Sequence, residues 1–205
     1  VCHVKNTGRC RELLIPGTRV WLEHHDDPKR KTAYSLICVY KGAQLVNMDS
    51  QAPNQVAMEW VLEGGGGRFG KVLQARREVV YGESRFDLYI EYETLEEPGK
   101  VRRAFMEVKG VTLEEDRVAR FPDAPTERGV KHINGLIRCL DDGYEAYLLF
   151  VIQMGNTIRF EANRPRQEEF ADTLQRAHEA GVQVLAYDCQ VEPEELRIRK
   201  AVPVA

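Results

Sequence analysis

Polar and apolar residues alternate with a period of two in three neighbouring runs, Arg77 to Tyr81, Ser84 to Tyr92 and Val101 to Lys109, which predicts three strands. Gly82-Glu83 separates the first two, and glycine at the first central position suits a two-residue hairpin turn. That turn sets Glu78 opposite Asp87 on one face, with Cβ atoms about 5 Å apart. The next loop holds Glu96, Glu97, Pro98 and Gly99, and symmetry about Glu97 sets Asp87 opposite Glu107. Lys109 then shares the Glu107 face, one diagonal step away. The opposite face collects Val79, Tyr81, Phe86, Leu88, Ile90, Ala104, Met106 and Val108 as an apolar wall.

Upstream, short strand-like runs around Val4 and at Arg19 to His24, Ser35 to Tyr40 and Gln44 to Asn47 alternate with turns at Pro16-Gly17, Asp26-Asp27-Pro28 and Lys41-Gly42. They predict a small β-barrel-like module, of a kind that often binds nucleic acid. A helix is expected from about Asn54 to Glu63, with Asn54 as N-cap and Val56, Ala57, Trp60 and Val61 inward, ended by four glycines at 64 to 67. Two further helices are expected at about Thr126 to Leu140 and Gln167 to Ala180, the latter closed by Gly181. Each precedes a run suited to a buried strand, Tyr147 to Gln153 and Val182 to Tyr187, so these strands should be parallel. Strands interleaved with helices make this an α/β (α+β) chain with a boundary near residue 50.

Of the 205 residues, 43% are hydrophobic and 30% charged, and no apolar run approaches the length of a membrane span. The chain opens on Val1-Cys2 with neither initiator Met nor signal pattern, so natural N-terminal residues are expected to precede it, and a cytoplasmic location is expected. Five cysteines without a CxxC pair argue against a disulfide framework and a zinc ribbon, and a cluster of Cys2, His3, Cys10 and His24 matches no common zinc spacing. The net charge of −3 is uneven: residues 1–50 carry eight Lys and Arg against five acids, and the rest 21 against 27. The basic end, with Lys29, Arg30 and Lys31, is the expected phosphate-facing surface, a solvated basic loop being the alternative.

Three carboxylates facing one another across strands repel unless a cation or proton offsets them, which favours a metal site over a merely solvated acidic face. Asp87 and Glu107, with the Val108 carbonyl, offer the hard oxygens that suit Mg²⁺ or Mn²⁺. Lys109 would orient an attacking water or stabilise charge on phosphorus. Metal-assisted phosphodiester hydrolysis is the expected chemistry. Arg128, Lys131 and His132 fall three and four apart on a helix whose Ile133 and Leu136 face inward, and they are expected to touch phosphates or water.

An acid followed on the next strand by Glu107-Val108-Lys109 resembles the PD-(D/E)xK nucleases, a short motif. A longer series resembles the sugar fermentation stimulation protein A family: Asn6-Thr7-Gly8, Lys29-Arg30-Lys31-Thr32, Glu78-Val79-Val80-Tyr81-Gly82, Ser84-Arg85-Phe86-Asp87, Glu107-Val108-Lys109, Val111-Thr112-Leu113, Phe121-Pro122-Asp123-Ala124, and then Thr126, Arg128-Gly129 and Lys131-His132. The resemblance covers essentially the whole chain. It implies an OB-like β-barrel module over 1–50, a restriction-endonuclease-like mixed-sheet α/β/α domain over 51–205, DNA as partner, Arg85 among the DNA-facing cations, and a regulatory part in sugar (maltose) metabolism. The nuclease superfamily also implies an acid from the preceding helix, where Glu59 stands. Cleavage, non-cleaving regulation of sugar genes, and sugar-responsive binding without DNA remain alternatives; homo-oligomerisation stays open, and no membrane partner is expected.

Overall fold

The computed structural model describes residues 1–6 and 8–205, so Thr7 of the Asn6-Thr7-Gly8 motif lies outside the described residues. Strands β1 (His3–Val4), β2 (Val20–His24), β3 (Tyr34–Lys41) and β4 (Gln44–Asn47) form a sheet centred on β3. β1 runs parallel to β3, while β2 and β4 run antiparallel to it. Leu36, Val39, Val46 and Met48 point inward and are buried.

Helix α1 (Ala52–Leu62) begins two residues before the expected start, with Gln51 rather than Asn54 at the N-cap position. Pro53 explains the shift, since a first-turn position costs proline no hydrogen bond. Asn54 is thereby inside the helix and free to bond elsewhere. A 3-10 turn at Gly65–Gly67 leads into β5 (Lys71–Tyr81), β6 (Ser84–Glu93) and β7 (Val101–Val111). Next come β8 (Leu113–Glu115), β9 (Val118–Phe121), α2 (Glu127–Asp141), β10 (Glu145–Ile152), β11 (Arg159–Ala162), α3 (Glu168–Ala180), β12 (Gln183–Glu192) and β13 (Glu195–Ala201).

The main sheet has the order β13-β12-β10-β7-β6-β5. β7, β10 and β12 are mutually parallel, as expected for β10 and β12, which follow helices, and the other pairs are antiparallel. β8, β9 and β11 form a separate small sheet that the sequence pattern did not announce. α1 covers one face of the main sheet, packing Val56, Ala57, Trp60 and Val61 on Leu88, Ile90, Ala104, Met106 and Val108. α2 and α3 cover the other, where Ile133, Leu136 and Phe170 meet Phe86, Phe105 and Phe150. This second core runs on into Leu36, Val39 and Met48, so the N-terminal sheet and the larger unit share buried surface.

The expected apolar wall is therefore split. Val79, Tyr81 and Phe86 belong to the α2 side, and Leu88, Ile90, Ala104, Met106 and Val108 to the α1 side. The cause is local. Glu78 has φ of 53°, and the β5–β6 ladder is interrupted between Arg77↔Leu88 and Val79↔Phe86, so both strands change face there.

Candidate metal centre

Both hairpins keep the registers expected from their turns, with Val79 opposite Phe86 and Leu88 opposite Met106. The β6–β7 ladder stops at that last pair, whereas β7 stays paired with β10 as far as Val111↔Ile152. Residues 107–111 thus have an open edge just where Asp87 and Glu107 would face each other.

Asp87 enters this opening. Its Oδ2 accepts the Val108 backbone N–H at 2.8 Å, replacing the strand partner that β7 has lost. Its Oδ1 accepts from Asn54 Nδ2 at 2.8 Å. α1 can reach it because Gly110 lets Pro53 close in: a Cβ at Gly110 would stand 2.7 Å from Pro53 Cγ and 2.5 Å from Gln153 Oε1. Since a strand residue's N–H and C=O point to the same side, the Val108 carbonyl also faces the opening.

Glu107 is 2% exposed. Its Oε1 accepts from Lys109 Nζ at 2.6 Å and contacts His132 Nδ1 of α2. Its Oε2 is buried with no hydrogen-bond partner. Burial pushes the Glu107 pKa up, but the His132 hydrogen bond and the Lys109 charge outweigh it and hold the group below the usual carboxylate range. Asp87 moves the other way. Burial and the neighbouring Glu107 charge raise its pKa against the pull of the Val108 N–H, Lys109 and Asn54.

The other expected site residues lie elsewhere. Glu78 sits at the face switch, 60% exposed, with Oε2 3.6 Å from Arg85 Nη1, so it does not complete a carboxylate triad. Glu59 is exposed on α1 and accepts from Gln55, because the helix turns Val56 and Trp60 inward instead. His132 is buried against Glu107 and does not lie on the outer face with exposed Arg128 and Lys131. Its spacing with Gly129, Ile133 and Leu136 puts it on the inward stripe, a signal present in the sequence. Asn54 could have been found from Pro53, which marks the first turn. Lys29 and Lys31 are exposed, while Arg30 donates to Ser35 Oγ at 2.7 Å and the Thr32 carbonyl at 3.3 Å. Arg85 is 58% exposed.

Among the described residues, no three His, Cys, Asp or Glu side chains converge as a metal cage, which also disposes of the Cys2, His3, Cys10, His24 grouping. Two carboxylates and a carbonyl remain. The unpartnered Glu107 Oε2, buried beside Asp87, fits a hard cation. Beyond Lys109 opens a cleft of about 380 Å³ walled by Asn6, Gly8, Asp123 and Thr126. Its wall is tied to the N-terminal segment, as Asp123 Oδ2 accepts from Arg9 N and Cys10 N. Asn6 Oδ1 accepts from Gly8 N at 2.8 Å, and a Cβ on Gly8 would approach Asp123 Oδ2 to 2.9 Å. The motifs around Asn6 and Asp123 therefore meet at the mouth of the site.

Residues 51–195 match the family model described as the sugar fermentation stimulation protein RE domain, and residues 1–48 match the SfsA N-terminal OB domain. The chain belongs to the sugar fermentation stimulation protein family. It is 50% identical to the sugar fermentation stimulation protein homolog of Clostridium beijerinckii over 204 residues, covering 100% of this chain and 86% of the relative. With the homolog from Ruminiclostridium cellulolyticum the identity is 51% over the same coverage. Pyrococcus furiosus SfsA, solved in complex with Ca²⁺, superposes with a TM-score of 0.85 at 27% identity, covering 98% of this chain and 84% of that one. The family's two units are the N-terminal OB domain and the mixed-sheet domain described above. No helix among the described residues is long and apolar enough to cross a membrane.

Proposed function

We propose that the protein binds DNA and hydrolyses its phosphodiester bonds at a Mg²⁺- or Mn²⁺-dependent site. The observation that carries this reading is Glu107 Oε2, a buried carboxylate oxygen without a partner, on the open strand edge beside Asp87 and Lys109. Asp87, Glu107 and the Val108 carbonyl would hold the ion. When bound, such an ion polarises a phosphodiester and lowers the pKa of a water. That a structural relative was solved with Ca²⁺, another hard, oxygen-seeking cation, supports an oxygen-ligand site in this chain.

The chain's own groups divide the remaining work. Lys109 uses one donor on Glu107 and has two more for an attacking water or a phosphoryl oxygen. Exposed Arg128 and Lys131 on α2, Arg85, and Lys29 to Lys31 in the loop between β2 and β3 would supply phosphate contacts. Asn54 and the Val108 N–H hold Asp87 in place.

A second reading, a non-cleaving DNA-binding regulator of sugar (maltose) metabolism, is favoured by one observation: Lys109 already balances the charge of Glu107 without a metal. Purified protein incubated with single-stranded, duplex and branched DNA, with Mg²⁺, Mn²⁺ or chelator, separates the two. Cleavage that chelator or Glu107→Gln abolishes supports the nuclease. Binding without cleavage of any form under either metal leaves the regulator. In both cases DNA affinity should drop by about a thousandfold between 50 and 200 mM salt, and salt-independent binding would remove the phosphate contacts from the account.

A further inference from the structure

Building on the metal-site reading above, we propose that His132, itself held by Arg128, is a positioning residue that fixes Glu107 so that Oε2 alone is presented to a divalent cation. The final torsion of a glutamate is broad and nearly two-fold, so a buried carboxylate free to turn would offer either oxygen. Here both donors converge on Oε1, and Oε2 is left bare. The two donors differ in what they fix. Lys109 lies on the same strand two residues on and moves with Glu107. His132 comes from α2 and ties the carboxylate to a different element.

The ring is oriented in turn. Arg128 Nε lies 3.4 Å from His132 Nε2, and a guanidinium N–H can only donate. Nε2 is therefore the acceptor and the ring proton is on Nδ1, aimed at Glu107 Oε1. This arrangement excludes two other roles. With Nδ1 on Glu107 and Nε2 on Arg128, His132 has no lone pair left for a metal or for a water's proton. The start of α2, which carries Arg128, is pinned on both sides: Thr126 Oγ1 accepts from Gly129 N at 2.9 Å, and Thr126 N donates to Gln167 Oε1 of the segment before α3 at 2.9 Å. Residues that orient a metal ligand typically change metal affinity by about ten- to a hundredfold when removed.

The test is Mn²⁺ calorimetry on wild type, His132→Leu and His132→Asn, with thermal melts in chelator and ¹⁵N NMR of the wild-type imidazole. The Asn amide nitrogen occupies nearly the place of Nδ1, so His132→Asn keeps the donor and loses the ring. His132→Leu should weaken Mn²⁺ binding by about ten- to a hundredfold, and His132→Asn should recover most of it. The NMR spectrum should show a neutral ring protonated on Nδ1. A folded His132→Leu variant with wild-type Mn²⁺ affinity overturns the proposal, as does a ring protonated on Nε2 alone. Should His132→Leu fail to fold, His132→Asn decides: near wild-type affinity supports the proposal, and a full loss overturns it. Wild type that binds no Mn²⁺ at all overturns the metal-site reading on which this rests, while the tautomer still reports whether the Arg128–His132–Glu107 chain exists.

Discussion

Asp87 and Glu107 stand at facing register positions of adjacent strands, yet their surroundings oppose each other. On the β6 side, Asp87 is held by two neutral donors, one from α1 and one from the β7 backbone, and burial beside a second acid works against its ionisation. On the β7 side, Glu107 is more deeply buried but has a lysine and a histidine on one oxygen, and these keep it ionised. Burial alone does not set the charge state of a carboxylate; the charge and number of its donors do. The site is thus asymmetric: one acid has only neutral hydrogen-bond donors, and the other carries a lysine on one oxygen.

The largest expected effect falls on the cation that distinguishes the two sides. Lys109→Ala should lower turnover by about a hundredfold or more while DNA affinity stays near wild type, because the lysine is proposed to act on the water or phosphoryl oxygen. Mn²⁺ affinity should hold or rise, since Glu107 Oε1 loses its competing partner. Single-turnover cleavage and calorimetry read the two separately. If wild type cuts no DNA and Lys109→Ala weakens DNA binding as much as Arg128→Ala, then Lys109 is a phosphate contact and the asymmetry serves binding only.

A second contrast lies in stability without metal. Glu107→Gln leaves Lys109 and His132 without their carboxylate and should destabilise by about 3 kcal/mol or more, the usual cost of breaking a buried pair. Glu107 has a lowered pKa, so its contribution is present above the ordinary carboxylate range and is lost as pH falls through its folded value. Asp87→Asn should do the reverse. Asp87 has a raised pKa, so its ionised form burdens the fold above that pKa, and the neutral variant should melt higher at pH 7. The advantage should vanish as pH drops below about 3.9, where the wild-type group is protonated in both states. Melts in chelator from pH 3 to 8 check both signs, and equal destabilisation by the two substitutions would break the comparison.

Much of this asymmetry was legible only in part. The hairpin registers could be read because Gly82 and the loop centred on Glu97 are local signals that constrain pairing directly. Lys109 beside Glu107 followed from strand alternation. Glu78 could not be placed correctly, because a left-handed residue inside a strand leaves no mark in hydrophobic alternation. The same kink divided the apolar wall between two cores. The small sheet of β8, β9 and β11 was missed because strands of three and four residues carry too few positions for a period to register. The OB and mixed-sheet units were expected from short strands followed by helix–strand alternation. Their shared core was not, since the joint burial of distant segments, such as those of Met48 and Ile133, is invisible to local pattern. His132 was readable as inward-facing, but its partner on β7 depended on how α2 lies across the sheet.

The smallest expected effect sharpens the β6 side. Asn54 contributes one neutral hydrogen bond to Asp87 from α1, and a single bond of this kind is worth about 1 kcal/mol. Asn54→Ala should therefore weaken Mn²⁺ binding by only about fivefold, through a less firmly held Asp87 with a pKa raised further. The asymmetry between the two acids should widen, so Mn²⁺ affinity in this variant should fall more steeply than in wild type as pH is lowered toward the ordinary carboxylate range. Asn54→Asp tests the same contact in the opposite sense by placing a carboxylate against Asp87, which should lower metal-free stability and be relieved by added Mn²⁺. If Asn54→Ala instead abolishes Mn²⁺ binding as completely as Asp87→Asn, the amide must turn its oxygen to the ion. In that case α1 supplies a ligand, and the β6 side would match the β7 side in recruiting a helix residue, though as a ligand and not as a clamp.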